Sequence, residues 1–262
     1  MILGKKELVE HFKQLGIKQG MILEVHSSLS SFGYVVGGAQ TVVDALIEVI
    51  GYNGTLLMPF QCATNSDPST WIDPQCDPND ISAIRKRIPA FNYKESDLYK
   101  MGSIVENLRR RDGVIVSPHP NRAYIAWGKY SKLLCNYQSS NFAFSMESPA
   151  ARLKELKGYI LLLGIDYDNI SSLHLAEYCA DCAPISINCA ACNHQGFRKY
   201  EKFLDIEYDE QVFCKVGQQL EQLGYVNSLK IGDCQCRLLP FDIILDYTIK
   251  YIKKTSIVSL YR

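Results

Sequence analysis

The sequence predicts an α/β fold, and the evidence is a βαβ unit near the amino terminus. Residues 21–26 form an apolar run that fits a strand, and a loop rich in Ser and Gly follows at 27–38. Residues 39–50 are a strongly apolar helix, and a turn at 51–54 leads into a second apolar run at 55–60. Strand, loop, helix, turn and strand in this order are typical of an α/β sheet.

Periodicity and turn residues place the other elements. They predict helices at 5–15, 102–110, 129–134, 148–155, 209–223 and 240–254, and strands at 114–116, 123–127, 159–163 and, as a pair, within 226–237. Ser148 is the expected cap of its helix, with Pro149 at the first position. Residues 198–205 have no clear pattern. Residues 61–101 read as one long irregular loop, and loops of that length are typically functional. We therefore expect one domain over residues 1–262 with this loop inserted.

Composition excludes several classes of protein. The chain has 262 residues, of which 47% are apolar, and its 28 basic residues balance 28 acidic ones. A general nucleic-acid binder needs a basic excess. No apolar run is long enough to cross a membrane, and residues 1–12 lack a signal-peptide core. We expect a cytoplasmic protein with neither a membrane nor a nucleic-acid partner, whose oligomeric state, a homodimer included, stays open.

The ten cysteines allow two interpretations. Cys179 and Cys182, then Cys189 and Cys192 followed by His194, are spaced like zinc ligands. However, six residues between the two pairs is shorter than the usual spacing of a zinc ribbon. We expect small buried thiols without disulfides and no metal. A zinc-bearing interaction protein is the alternative from another class.

The stretch 161–177 holds the strongest candidates for catalysis. A buried strand ends at Gly164, and Asp168 follows at its carboxyl end, where α/β sheets place their sites. His174 and Glu177 are three residues apart and so share one face of the next helix, for which Ser171 or Ser172 is the expected cap. A neutral imidazole oriented by a carboxylate is a general base. The plain alternative is a helix start with one satisfied histidine and a surface glutamate.

Three stretches resemble the aminoglycoside 3-N-acetyltransferases, a family distinct from the GNAT acetyltransferases and associated with antibiotic resistance. Residues 164–177, Gly-Ile-Asp-Tyr-Asp-Asn-Ile-Ser-Ser-Leu-His-Leu-Ala-Glu, are similar to the segment around the family's catalytic histidine. Residues 25–38 and 117–128 resemble its N-terminal and His-Pro segments. The resemblance implies a single domain with a central mixed sheet flanked by helices, and acetyl-CoA as co-substrate. It also implies His174 as general base, oriented by Glu177 or Asp168, with Asp166 a weaker choice.

The same resemblance implies which residues contact acetyl-CoA. They are His26, Ser27, Ser28, Gly37, Gly38, His119 and Asn121. Hydroxyls and the N–H groups at a helix start suit a phosphate or the amides of pantetheine. An ordinary strand–helix connection, and a rigid loop with a capping histidine at His119, are the plain alternatives.

The resemblance implies a small-molecule amine as the acceptor. Aminoglycosides are polycations that suit acidic sites, and the long loop contains Asp67, Asp73, Asp77, Asp80, Glu95 and Asp97. Its basic residues blur this signal, and a solvated acidic loop is the plain alternative. We expect acetylation of an aminoglycoside or a related amino sugar, with a nucleotide-linked amino sugar of surface polysaccharide synthesis as the second possibility. A hydrolase using Ser171 or Ser172 lacks the Gly-x-Ser-x-Gly elbow.

Overall fold

The computed structural model describes residues 2–72, 75–98 and 100–260, the last five of them by their backbone alone. The strands are β1 (Ile2–Leu3), β2 (Ile22–Ser27), β3 (Tyr34–Val35), β4 (Thr55–Gln61), β5 (Ile115–Val116), β6 (Arg122–Gly128), β7 (Tyr159–Leu163), β8 (Ile185–His194), β9 (Phe197–Ile206), β10 (Asn227–Ile231) and β11 (Cys234–Pro240). The helices are α1 (Lys5–Leu15), α2 (Gly38–Ile50), α3 (Ile81–Arg87), α4 (Gly102–Arg109), α5 (Ser131–Cys135), α6 (Pro149–Glu155), α7 (His174–Ala180), α8 (Gln211–Gln222) and α9 (Phe241–Leu260).

A seven-stranded mixed sheet in the order β10-β11-β7-β2-β4-β6-β5 forms the centre. Strands β7, β2 and β4 are parallel, whereas β11 and β6 flank them in the antiparallel sense. Helices α1, α2 and α4 pack on one face of the sheet, and α5, α6, α7, α8 and α9 pack on the other. Both faces are buried because the strands direct apolar side chains alternately to the two sides. The predicted α/β fold with a central mixed sheet is confirmed.

A second sheet is the long hairpin of β8 and β9. The sequence prediction left 198–205 unassigned and saw no strand at 185–194. Gln195 and Gly196 join the strands with φ of 52° and 92°, the signature of a two-residue turn that matches strand twist. Helix α3 is a further element that the prediction missed, inside the segment treated as an irregular loop.

Helix starts follow the predictions in one case and not in another. Ser148 caps α6, its Oγ accepting from the Ala151 amide at 3.4 Å, with Pro149 at the first position. The predicted cap of α7 by Ser171 or Ser172 is wrong, because a 3-10 turn over Ser171–Leu173 leads directly into that helix. The Ser172 hydroxyl is instead buried within this turn. No helix of the described chain has the length and apolar character that a membrane crossing requires.

Candidate active site

The site lies at the carboxyl ends of the parallel strands β2, β4 and β7, the edge where open α/β sheets bind ligands. After β7 the chain makes two 3-10 turns, at Tyr167–Asn169 and Ser171–Leu173, and enters α7 at His174. The Gln61 side chain, at the end of β4, donates to the Ser171 hydroxyl at 3.3 Å. These turns bring the start of α7 to the sheet edge.

His174 and Glu177 form a buried pair. The imidazole Nδ1 lies 2.5 Å from Glu177 Oε2, and the two residues are 6% and 5% exposed. The other oxygen, Glu177 Oε1, accepts the backbone N–H of Asp209 at 2.7 Å. The carboxylate is therefore fixed at both oxygens, and it holds a proton on Nδ1 so that the lone pair lies at Nε2.

Three aromatic rings surround the imidazole, with centroids at 4.3 Å for Tyr208 and 5.3 Å for both Phe144 and Phe213. They hold the ring in place on its apolar faces. The side of Nε2 is polar, because Glu210 Oε1 lies 3.8 Å away on a half-exposed side chain. A group that approaches Nε2 from this side meets this carboxylate.

The other carboxylates proposed to orient His174 lie elsewhere. Asp168 is exposed, and its Oδ1 accepts from the Asn169 amide at 2.7 Å. Asp166 begins the 3-10 turn, where its Oδ1 accepts the Tyr167 backbone N–H at 2.9 Å. The structure thus brings Glu177, and neither aspartate, to the imidazole.

A cavity of about 670 Å³ opens at this edge of the sheet, a size typical of small-molecule sites. His174 and Glu177 are not among the described residues that line it. Its wall includes His26, Ser27, Ser28 and Gly38 from the predicted set, with Ser171 at the approach to α7. Ser27 Oγ has no hydrogen-bond partner among the described residues. Helix α2 starts at this wall without a side-chain cap, so its first N–H groups are available to a ligand.

The charge of the wall also suits an anionic ligand. Lys100 contributes a cation, and carboxylates are absent from the described lining residues. The wall also holds hydroxyls of Ser28, Ser30 and Ser103. The phosphates and the pantetheine amides of acetyl-CoA fit such a surface. Gly37 lies one residue before this wall as the N-cap of α2, with a φ of 79° in the left-handed region that favours glycine.

His119 and Asn121, the other predicted cofactor contacts, do not line this cavity. His119 is fully buried, and its Nδ1 accepts the backbone N–H groups of Asn121 and Arg122 at 3.4 and 3.0 Å. Burial, together with the nearby Arg122 guanidinium, lowers the pKa of His119 to about 3. The contacts of His119 are those of a neutral histidine that caps its loop, the plain alternative, and its contact with acetyl-CoA stays a prediction.

Sequence reasoning missed a second imidazole–carboxylate pair. His26 Nε2 lies 2.8 Å from Glu24 Oε1, and both are buried on β2. Their spacing of two residues on one strand puts both side chains on the same face, a signal that was available. His26 thereby enters the cavity wall with a fixed ring.

Comparison with known proteins decides the family. The family model of aminoglycoside 3-N-acetyltransferase matches residues 25–253. This chain belongs to the aminoglycoside 3-N-acetyltransferase family. That membership confirms the predicted acetyl-CoA-dependent N-acetyltransferase, in a family whose members acetylate aminoglycosides.

Several members of this family are similar to the chain over most of its length. The SPbeta prophage-derived aminoglycoside N(3')-acetyltransferase-like protein YokD of Bacillus subtilis is 36% identical over 248 residues, 94% of this chain and 91% of the relative. Its crystal structure has a TM-score of 0.91, covering 96% of this chain and 99% of that one. Aminoglycoside N(3)-acetyltransferase IX of Micromonospora chalcea is 34% identical, over 76% of this chain and 71% of its own. The crystal structure of aminoglycoside acetyltransferase AAC(3)-Xa is 28% identical, with a TM-score of 0.89 over 97% of this chain and 93% of its own.

The acidic residues of the long loop do not gather at His174 in this acetyltransferase. Asp67 is buried in an ion pair with Arg85 at 2.9 Å and accepts the Tyr200 hydroxyl at 2.8 Å. Burial opposes its ionisation, but hydrogen bonds from Arg85 and Ser69 outweigh burial and hold the pKa of Asp67 well below its usual range. The other described acidic residues of the loop are exposed, as the alternative of a solvated loop predicts: Asp77, Asp80, Glu95 and Asp97. Asp73 lies outside the described residues.

The cysteines of the acetyltransferase do not form the four-cysteine zinc site. Three residues apart on β8, Cys189 and Cys192 point to opposite faces of the hairpin, whereas Cys179 lies on α7. Among the described residues, the donor atoms that lie within 4.8 Å of one another are those of Cys192, His194 and Glu201. Lys199 Nζ already lies 2.6 Å from Glu201 there. All ten cysteines are free thiols, and the predicted burial holds for Cys62, Cys135, Cys234 and Cys236.

Proposed function

We propose that this protein transfers the acetyl group of acetyl-CoA directly to an amine of an aminoglycoside or a related amino sugar, with His174 as general base. The observation that carries this proposal is the buried Glu177–His174 pair. Its Nε2 lies 3.8 Å from the half-exposed Glu210. A cavity that suits acetyl-CoA reaches Ser171, three residues before His174. No covalent acetyl-enzyme is needed.

His174 supplies the proton transfers. Nε2 takes a proton from the acceptor amine as its nitrogen attacks the thioester carbon, and Glu177 stabilises the imidazolium that forms. When the carbon–sulfur bond breaks, the imidazolium returns a proton to the thiolate. The products are the amide and CoA, with His174 neutral again.

The cavity positions the thioester for this attack. Ser27, Ser28 and the first N–H groups of α2 hold the CoA portion, and His26 stands in the same wall with its ring fixed by Glu24. Fixing the thioester and the amine in one site contributes as much as the base or more. Backbone N–H groups in the loops after β2 and β4 are the candidates for stabilising the oxyanion.

The test is acetyl-CoA consumption followed by chromatography, since ten thiols interfere with thiol dyes. Aminoglycosides and amino-sugar nucleotides are offered to the wild type and to His174→Ala. We expect kcat to fall at least about 100-fold in the variant, because a positioned base is worth on the order of 10²–10⁴ in rate.

The matched control is His11→Ala. His11 lies on α1, and its Nδ1 hydrogen bonds with the Glu7 carbonyl of the same helix. Its kcat should stay within about twofold of the wild type, since a surface substitution leaves the site unchanged. A His174→Ala enzyme that folds and keeps most of the wild-type kcat would show that another group is the base. If acetyl-CoA neither binds nor is consumed with any amine, the transferase itself is refuted.

A further inference from the structure

Arg122 stands beside the candidate catalytic histidine. It opens β6, and its guanidinium carbon lies 4.6 Å from the ring centroid of Tyr208 and 5.9 Å from that of Phe144. The same two rings flank the His174 imidazole. The guanidinium and the imidazole thus share their aromatic neighbours on one face of the sheet.

No protein carboxylate neutralises this guanidinium within the described part of the chain. Two other partly buried arginines have such a partner, Arg111 with Asp44 at 2.6 Å and Arg237 with Glu221 at 2.5 Å. Arg152 has none, but it donates to the backbone carbonyls of Leu134 and Tyr137. The Arg122 side chain is half-buried, and no described acceptor lies within hydrogen-bond distance of it. Leaving a cation in such a place without a counter-charge is costly.

The polar groups around Arg122 do not supply the missing charge. Burial raises the pKa of Tyr208 well above its ordinary value, so the phenol stays neutral. Asp205, a buried carboxylate, accepts the hydroxyls of Tyr178 and Tyr208 at Oδ1. It forms no ion pair with Arg122 in the described part of the chain. The guanidinium therefore lies against the rings that flank His174 without an ion-pair partner among the described residues.

We propose that Arg122 binds an anionic group, a phosphate or a carboxylate, carried by the amine acceptor. This rests on the proposed function of His174. The planar fork of arginine suits both anions, and stacking on Tyr208 orients it. The Glu210 carboxylate, 3.8 Å from His174 Nε2, can accept a hydrogen bond from the amine as it attacks. The two charges together select an amino sugar with an anionic substituent over a polycation.

The experiment compares acceptors that differ in one charged group. Glucosamine, glucosamine 6-phosphate and 2-amino-2-deoxyglucuronate are the probes, with one aminoglycoside as the polycation. The quantity measured is the ratio of kcat/KM for each anionic acceptor to that for glucosamine. The arm with the larger ratio identifies phosphate or carboxylate as the bound group.

The wild type, Arg122→Gln and Arg122→Lys are compared with Arg110→Gln. Arg110→Gln removes the same charge on the opposite face of the sheet, where the Arg110 side chain donates to the Glu106 carbonyl of α4. We expect Arg122→Gln to lower the ratio roughly 10- to 100-fold, because the anion loses a charged hydrogen-bond partner. It should also raise kcat/KM for the aminoglycoside, since a repelling charge is gone.

Arg122→Lys and Arg110→Gln serve as controls for this comparison. Arg122→Lys keeps the positive charge but not the planar guanidinium, so its ratio should lie between those of the wild type and Arg122→Gln. The ratio of Arg110→Gln should match that of the wild type. Thermal unfolding checks that every variant is folded. A wild type that favours glucosamine or the aminoglycoside over both anionic acceptors overturns this proposal, and so does an unchanged ratio in Arg122→Gln. If the wild type acetylates no amine at all, the proposed function fails as well, which is a separate result.

Discussion

Replacing Glu177 by glutamine should impair catalysis more than replacing it by alanine. Oε1 of Glu177 accepts the backbone N–H of Asp209 at 2.7 Å, and Oε2 faces Nδ1 of His174 at 2.5 Å. A glutamine has one oxygen, and the Asp209 N–H requires it. The amide NH₂ must then face Nδ1 as a donor, which forces the imidazole proton onto Nε2. The base is lost because the wrong tautomer is fixed.

The size of this effect follows from the role of the base. Fixing the wrong tautomer should lower kcat by on the order of 10²–10⁴, or about 3–5 kcal/mol of transition-state stabilisation. In Glu177→Ala the ring can adopt either tautomer, so part of the population keeps a lone pair on Nε2. We expect alanine to lose orientation and charge balance but to retain at least about tenfold more activity than glutamine.

The assay is single-turnover acetyl transfer at saturating acetyl-CoA, which isolates the chemical step from product release. Both variants bury a changed group, so circular dichroism and acetyl-CoA affinity are measured beside the rates. A Glu177→Gln enzyme as active as the wild type, or more active than Glu177→Ala, would show that the orientation of His174 does not depend on this hydrogen bond.

Two further predictions concern stability. Because burial lowers the pKa of His119 to about 3, the folded state holds this ring neutral, and stability that is present above pH 6.5 is lost as the pH falls. Between pH 8 and pH 5 this single group should cost on the order of 2 kcal/mol in urea unfolding, and His119→Asn, which keeps an acceptor for the loop amides, should remove that part of the slope. In α8, a Cβ at Gly217 would lie 2.2 Å from the buried Tyr167 ring, so Gly217→Ala should lower the free energy of unfolding by about 1–3 kcal/mol despite its better helix propensity. The exposed neighbour Gln218→Ala should change it little, and an equal effect of the two would refute the packing argument.

Local patterns explain what the sequence predicted well. The βαβ unit, α6 with its Ser-Pro start and the His174–Glu177 contact each depend on residues a few positions apart. Spacing along one helix or strand fixes such contacts before the tertiary fold is known. The cavity wall of His26, Ser27 and Ser28 belongs to the same class, because a loop after a parallel strand has to lie at the sheet edge.

Contacts between distant segments explain what the prediction from the sequence missed. Arg122 and Tyr208 are 86 positions apart in the sequence and meet only through packing. His119 looked like a presented ligand, but its burial depends partly on Phe203 of the hairpin, whose ring lies 5.5 Å away. The hairpin itself carries its apolar residues on exposed as well as buried faces, as Ile187 at 69% exposure shows, so its pattern did not indicate a core strand.

The segment that follows the hairpin is part of the candidate site. Strand β9 ends at Ile206, and the chain that leaves it supplies Tyr208 against the imidazole, the Asp209 amide to Glu177, and Glu210 beside Nε2. Asp205, fully buried in β9, anchors this segment by accepting the Tyr208 hydroxyl at 2.7 Å. Three consecutive residues from the far half of the chain thus set the orientation, the ring contact and the charge at His174. Because α7 alone fixes only the Glu177 contact, the position and surroundings of the His174 imidazole depend on this segment as much as on its own helix.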